Sequence, residues 1–244
     1  MDYRNFQLDT EWNRVWLPYK PNGFGILVIG DDRHYVDEKS SYWEQNEGKR
    51  KLLKDWVESG YTVFYSNLYG ANWGSDQAAD LAVTLCANVK RKEILNERFH
   101  IVAEGMGALT AYKLVKRLPS VRSLLLINPV LSLREHLKQE RDHKFFYKKL
   151  VKEISTSRSI HPKDVESLAA GEDIHANFSD ELPVRIIQVL SGSRGHAQSR
   201  ILKQNSLHWT EKGQSVSICY LLPEKKPQIG SMTMKFFHQH EQIL

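Results

Sequence analysis

The chain has 244 residues, 41% of them hydrophobic and 26% charged, with a net charge of +5. That is enough apolar material for one sizeable core, and no apolar run approaches the ~18 residues of a membrane span. Residues 1–10 are polar where a secretory leader needs an apolar stretch, and the basic triplets, such as Lys49-Arg50-Lys51 and Lys90-Arg91-Lys92, are scattered as on solvated helix faces. No zinc spacing, RNA-binding aromatic motif or repeat accompanies them, so neither a membrane nor a nucleic-acid partner is expected. Cys86 and Cys219 each sit in an apolar element and read as buried thiols, which fits a cytoplasmic protein.

In chain order, short β-rich apolar runs alternate with helical patterns, which predicts a mostly parallel sheet flanked by helices. Residues 4–8 and 13–17 are the first strands, and 25–29, with the sequence Gly-Ile-Leu-Val-Ile, reads as a buried central one. A polar loop covers 30–41. Residues 49–59 repeat apolar side chains at Leu52, Leu53, Trp56 and Val57, one helix face, and Gly60 stands at the C-terminal cap. A strand over 61–68 leads to a Gly-rich loop, and Ser75 is placed to cap a helix carrying Leu81, Leu85 and Val89. The strand 99–103 turns sharply through Glu104-Gly105-Met106-Gly107 into a helix over 108–117. Strands follow at 123–127, 184–190 and 216–222, with a terminal helix from about Gly230. The segment 131–182 is polar, helix-rich and without a convincing strand. It predicts a helical lid, so that 1–130 and 183–244 form the core and 131–182 an insertion over the site.

Three stretches carry a likeness to a known family. Leu27-Val28-Ile29-Gly30 is similar to a strand leading into an oxyanion loop, and Tyr69-Gly70-Ala71-Asn72-Trp73-Gly74-Ser75 to a loop between a strand and its helix. Ala103-Glu104-Gly105-Met106-Gly107 looks like a nucleophile elbow, with small flanks at Ala103 and Gly107 and its apex at Gly105. In this order they resemble the α/β-hydrolase fold superfamily, in a bacterial-type form that has lost its catalytic triad. The resemblance implies an eight-stranded, mostly parallel sheet with a helical lid.

The same resemblance locates the missing chemistry. Gly105 leaves no nucleophile at the apex. After the strand 184–190 the family expects a turn bearing an aspartate, and Gly192-Ser193-Arg194-Gly195-His196 puts Gly195 there. Asn128, at the end of the preceding strand, could accept a hydrogen bond but has no charge. The loop 223–228 contains no histidine, and His208, His238 and His240 lie in helices. Losing the serine or histidine of a triad costs about a millionfold in kcat. The expectation is therefore a pseudoenzyme, with no cofactor or metal, that binds a small ligand or protein partner through the former cleft.

The elbow and oxyanion region comprise Gly30, Asp31, Gly105 and Met106, whose N–H groups would favour an anionic or carbonyl ligand. Asp31, Asp32 and His34 beside them admit a polar or cationic one instead. Glu104, Ser193 and His196 complete the candidate ligand contacts. The alternative is a hydrolase or related enzyme of altered mechanism, with a relocated nucleophile and base in the cluster Ser191, Ser193 and His196, or with Glu104, Asp31 or His196 in place of the triad.

Overall fold

The computed structural model describes residues 2–171 and 178–241, with backbone alone over 192–197. The sheet starts with a hairpin of β1 (Asp2–Leu8) and β2 (Glu11–Leu17), paired antiparallel. It continues with β3 (Gly25–Ile29), β4 (Thr62–Ser66), β5 (Phe99–Glu104), β6 (Val121–Ile127), β7 (Val184–Val189) and β8 (Val216–Leu221). Spatial order is β1-β2-β4-β3-β5-β6-β7-β8, with β2 antiparallel to β4 and every later pair parallel. From β3 the chain steps outward to β4, then returns to place β5 on the other side. The C-terminal ends of β3 and β5 therefore flank the switch in strand order, where open α/β sheets bind their ligands.

The helices are α1 (Tyr42–Gln45), α2 (Glu47–Glu58), α3 (Asp76–Lys92), α4 (Gly107–Arg117), α5 (Leu133–Glu140), α6 (Lys144–Ser157), α7 (Val165–Gly171), α8 (Gly192–Glu211) and α9 (Ile229–His238). Strand alternation distributes the core over two faces. Leu27, Ile101 and Leu124 point to one face with Leu85 of α3 and Leu114 of α4. Ile26, Val28 and Val102 point to the other with Trp56 of α2 and Phe237 of α9. Leu133, Leu137, Leu150 and Ile154, from the segment between β6 and β7, are buried in the first of these cores.

Two local readings change and one element is added. The short α1 follows directly on the loop read over 30–41, with Ser41 and Trp43 buried in the core. Residues 223–228 form a 3-10 turn. The glycines at 192 and 195 do not make a turn: α8 begins at Gly192 and runs 20 residues. Helical backbone there closes its own hydrogen bonds, so Gly195 lies within a helix rather than at the acid-bearing turn that the sequence suggests.

A buried polar chain holds the long loop after β3 against the sheet. Trp16 Nε1 donates to the Tyr65 hydroxyl at 2.8 Å, Tyr65 lies 2.9 Å from Ser41 Oγ, and Ser41 donates to Glu44 Oε2 at 2.8 Å. Since Ser41 has one proton and gives it to Glu44, the Tyr65 hydroxyl donates to Ser41. Glu44 also pairs with the fully buried Arg14. Tyr65→Phe should strand both the indole N–H and Ser41 Oγ. Urea melts should show a loss of about 1–3 kcal/mol.

Candidate functional site

The turn after β5 has the geometry that a strained apex requires. Gly105 adopts φ +53°, a left-handed conformation natural to glycine and costing other residues about 1–2 kcal/mol. Its N–H donates to the Ile127 carbonyl and its carbonyl accepts from Val130, which ties the apex to the end of β6. Met106 follows, and α4 starts immediately after it with no side-chain cap of its own.

Asp31 supplies the cap. The Met106 N–H donates to Asp31 Oδ1 at 2.9 Å, so a carboxylate from the end of β3 sits on the positive end of α4. A Cβ placed on Gly105 would lie 2.0 Å from Asp31 Oδ1 and 2.1 Å from its Cγ. The aspartate therefore fills the volume that an apex side chain would need. This changes the reading of the oxyanion region: the Asp31 side chain brings an acceptor into it, and the Met106 N–H is already used.

Asp31 is itself held. The His34 N–H donates to the Asp31 carbonyl at 2.8 Å, making a tight turn, and His34 folds back so closely that a Cβ on Gly30 would meet its Cβ at 2.3 Å. His34 Nε2 donates to the Ser66 carbonyl at 2.9 Å, and complete burial pushes the imidazole down to about 4. His34 is thus a neutral core residue that braces the loop. It does not line the cavity beside it.

That cavity, about 250 Å³, opens above Gly105 and is lined by Asp31, Asp32, Trp73, His136, Gln188 and Gln198, with Asn128 and Ser191 at its edge. Burial, then the charge of Asp31, pushes the Asp32 carboxyl above the ordinary carboxylate range, while Lys149 and Arg33 pull the other way. Trp73 Nε1 donates to Glu153 Oε2 at 2.9 Å, and its ring lies 5.3 Å from that of His136. Gln188 Oε1 and Gln198 Nε2 are buried without a hydrogen-bond partner.

No family model and no curated protein matches the sequence. Solved structures do match its shape. Est1E from Butyrivibrio proteoclasticus superposes with a TM-score of 0.65 at 9% identity, over 98% of each chain. A thermostable carboxyl esterase from Bacillus coagulans gives 0.60 at 13% identity, over 98% of this chain and 99% of that one. A puromycin-hydrolyzing peptidase from Mycobacterium tuberculosis gives 0.76 at 12% identity, over 99% of this chain and 40% of that one. The fold is that of the α/β-hydrolases.

Within the α/β-hydrolase fold, Gly105 stands at the elbow, and the other expected positions are occupied as follows. Asn128, at φ +45°, spends its side-chain oxygen on the Val189 N–H at 2.7 Å, joining the ends of β6 and β7. Glu104 pairs with Lys49 at 2.5 Å and lines a separate cleft of about 820 Å³ between α2 and the turn before α9. It does not join Asp31 and Asp32. The side chains of Ser193 and His196 lie outside the described residues. Among the described residues no cluster of His, Cys, Asp or Glu could hold a metal ion, and no helix is long and apolar enough to cross a membrane.

Sequence reasoning missed Trp73, His136, Gln188 and Gln198 as cavity walls. It also missed a Ser–His–Glu chain near the N-terminal ends of β5 and β6, at the other end of these strands from Gly105. His100 Nδ1 lies 2.7 Å from Ser123 Oγ, His100 Nε2 lies 3.2 Å from Glu241 Oε1, and Tyr61 donates to the same oxygen at 2.5 Å. Ser123 and His100 are wholly buried and His100 is stacked on Phe237, so no acyl group reaches that hydroxyl. Its role is to fasten the residues after α9 to the sheet.

Two outcomes follow from the elbow and from Asp32. Gly105→Ala should cost about 3 kcal/mol, combining the left-handed penalty with displacement of Asp31. In an Asp31→Ala background only the former remains, and denaturation of the four proteins should give a coupling of at least about 1 kcal/mol. Asp32→Asn should raise the melting temperature at pH 7. A carboxyl raised in the folded state costs stability when ionised, so the gain should vanish as pH falls through that raised value. Thermal melts at pH 7 and pH 4 measure it.

Proposed function

We propose that this chain is a non-catalytic α/β-hydrolase-fold protein that binds a small ligand in its former active-site cavity. One observation carries the reading: the Asp31 carboxylate occupies the space of the lost nucleophile and takes the Met106 N–H that an oxyanion would need. The Gly105 apex of such a site has no attacking side chain, and the Met106 N–H is no longer free for an oxyanion. Adding a nucleophile alone would not repair it, because the added side chain would collide with Asp31.

The helices of 131–182 fit the part of a lid. His136 of α5 lines the cavity. Glu153 of α6 receives the Trp73 indole N–H, and Arg158 donates to the Trp73 carbonyl at 2.8 Å. A small ligand is favoured over a protein partner because the unmatched polar atoms belong to residues lining a concave space, which a flat partner surface would not fill. Cys86 and Cys219 are both free thiols, in keeping with a cytoplasmic location.

A second reading, an enzyme of altered mechanism, draws on adjacent carboxylates in the cavity, one with a raised pKa. The same assay separates them. A panel of short-chain aryl esters should show no turnover by the purified protein above a heat-killed sample, and none by Gly105→Ser. Steady turnover that disappears in Asp32→Asn would establish the enzyme and overturn the binding reading.

A further inference from the structure

The cavity above Gly105 has a chemical sign. Among the described residues lining it, the formal charges are the carboxylates of Asp31 and Asp32, and no lysine or arginine reaches its wall. Two adjacent carboxylates alone would be an ordinary solvated loop. Here they share a cavity with two buried amides, Gln188 at 2% exposure and Gln198 at 6%, each with one atom left without a partner. Gln188 gives its amide N–H to the Val189 carbonyl, leaving Oε1 as an acceptor. Gln198 accepts the Leu131 N–H on Oε1, leaving Nε2 as a donor. Buried polar atoms are nearly always satisfied, so this acceptor and donor mark where a ligand's own polar group would sit.

The opposite wall is aromatic. Trp73 is 4% exposed, with its indole N–H fixed on Glu153 and its ring beside His136. The face of an indole attracts cations, and a carboxylate bonded at its N–H strengthens that preference. An anion is poorly served: the helix N-terminus that would have received it already carries Asp31. At ~30 Å³ per water, the 250 Å³ space holds about eight waters.

We propose that the cavity binds a small organic monocation, an amine or quaternary ammonium compound with a hydrogen-bonding group a few atoms from its charge. The charge lies between Asp32 and the face of Trp73, and the polar group meets Gln188 Oε1 and Gln198 Nε2. This rests on the reading of the site as a binding cavity and names its ligand class. The raised pKa of Asp32 agrees with it: burial and the neighbouring Asp31 charge outweigh the opposing pull of Lys149 and Arg33.

The test is ligand-observed NMR on the full chain with a set of small organic cations. Tyramine, choline and ethanolamine are included, each beside a neutral and an anionic compound of similar shape, such as 4-ethylphenol and 4-hydroxyphenylacetate for tyramine. Binding should be confined to cations. For the best binder, Asp32→Asn should weaken affinity about 10-fold or more, the value of one charge-assisted contact. Trp73→Leu should weaken it too, while Lys49→Ala in the separate cleft should leave it unchanged. If Trp73→Leu does not fold, Gln188→Leu replaces it, with the same expected loss. Equal binding of the neutral or anionic partners, no cation binding at 5 mM, or cation binding indifferent to Asp32→Asn would each overturn the proposal. Ester turnover measured in parallel keeps the two readings apart. Turnover overturns the non-catalytic reading, whereas silence in both experiments overturns only the ligand class.

Discussion

The contact between the Asp31 carboxylate and the Met106 N–H fixes the character of this molecule. It spans 75 residues of sequence and joins the ends of β3 and β5, the two strands that flank the switch in strand order. The helix that begins after Met106 leaves its first N–H groups without partners, and a carboxylate is the most favourable neutral-pH side chain to meet them. Glycine at 105 permits this twice over: it accepts the left-handed backbone, and it leaves the space that the carboxylate fills. Gly30 contributes at the other end by letting His34 fold back and hold the turn that presents Asp31. The elbow, the oxyanion loop and the cap are therefore one mechanical unit.

Much of the fold was legible in the sequence, because it depends on local pattern. A fully apolar five-residue run marks β3, the β-rich Val63-Phe64-Tyr65 marks β4, and the apolar stripe through Leu81, Leu85 and Val89 marks α3 with Ser75 as its cap, where Ser75 Oγ accepts the Ala78 N–H. The small flanks around Gly105 identify the turn. What failed was the stretch at Gly192, where glycines suggested a turn and a long helix formed instead. Glycine lowers helix propensity by only about 1 kcal/mol, and Leu202 and Trp209 bury enough surface farther along α8 to outweigh that. Among the candidate site residues, Asp31 and Asp32 reach the cavity, but His34 turns into the core and Glu104 faces another cleft. Nothing in their spacing could separate them, because the directions of His34 and Glu104 are set by Ser66 and Lys49, residues brought near only by folding.

The Ser123–His100–Glu241 chain supplies a control within the same molecule. It has the residue types of a hydrolytic relay, at hydrogen-bond distances, in a fold known for such relays. Yet its hydroxyl is sealed in the core, and the group that receives most of its interactions is the carboxylate near the end of the chain. The cavity above Gly105 has the reverse properties: concave space, unmatched polar atoms and no nucleophile at its apex. Residue type and hydrogen bonding define a relay; access and an oxyanion site define a catalyst.

On the proposed reading, an internal carboxylate in place of a nucleophile does more than delete a reaction. An acyl-transfer site is built to stabilise negative charge, with donors aimed at a developing oxyanion. Here the strongest of those donors is neutralised by Asp31, and Asp32 adds a second negative charge in a partly dry setting. The sign of the site is thereby reversed while its shape is retained. Burial beside a like charge, only partly offset by Lys149 and Arg33, disfavours the ionised Asp32, and asparagine at 32 would remove that cost. Such local instability is the usual mark of a binding site whose stabilising partner arrives from outside. On the proposed reading, the geometry that leaves no side chain at Gly105 also prepares the cavity for a positively charged guest.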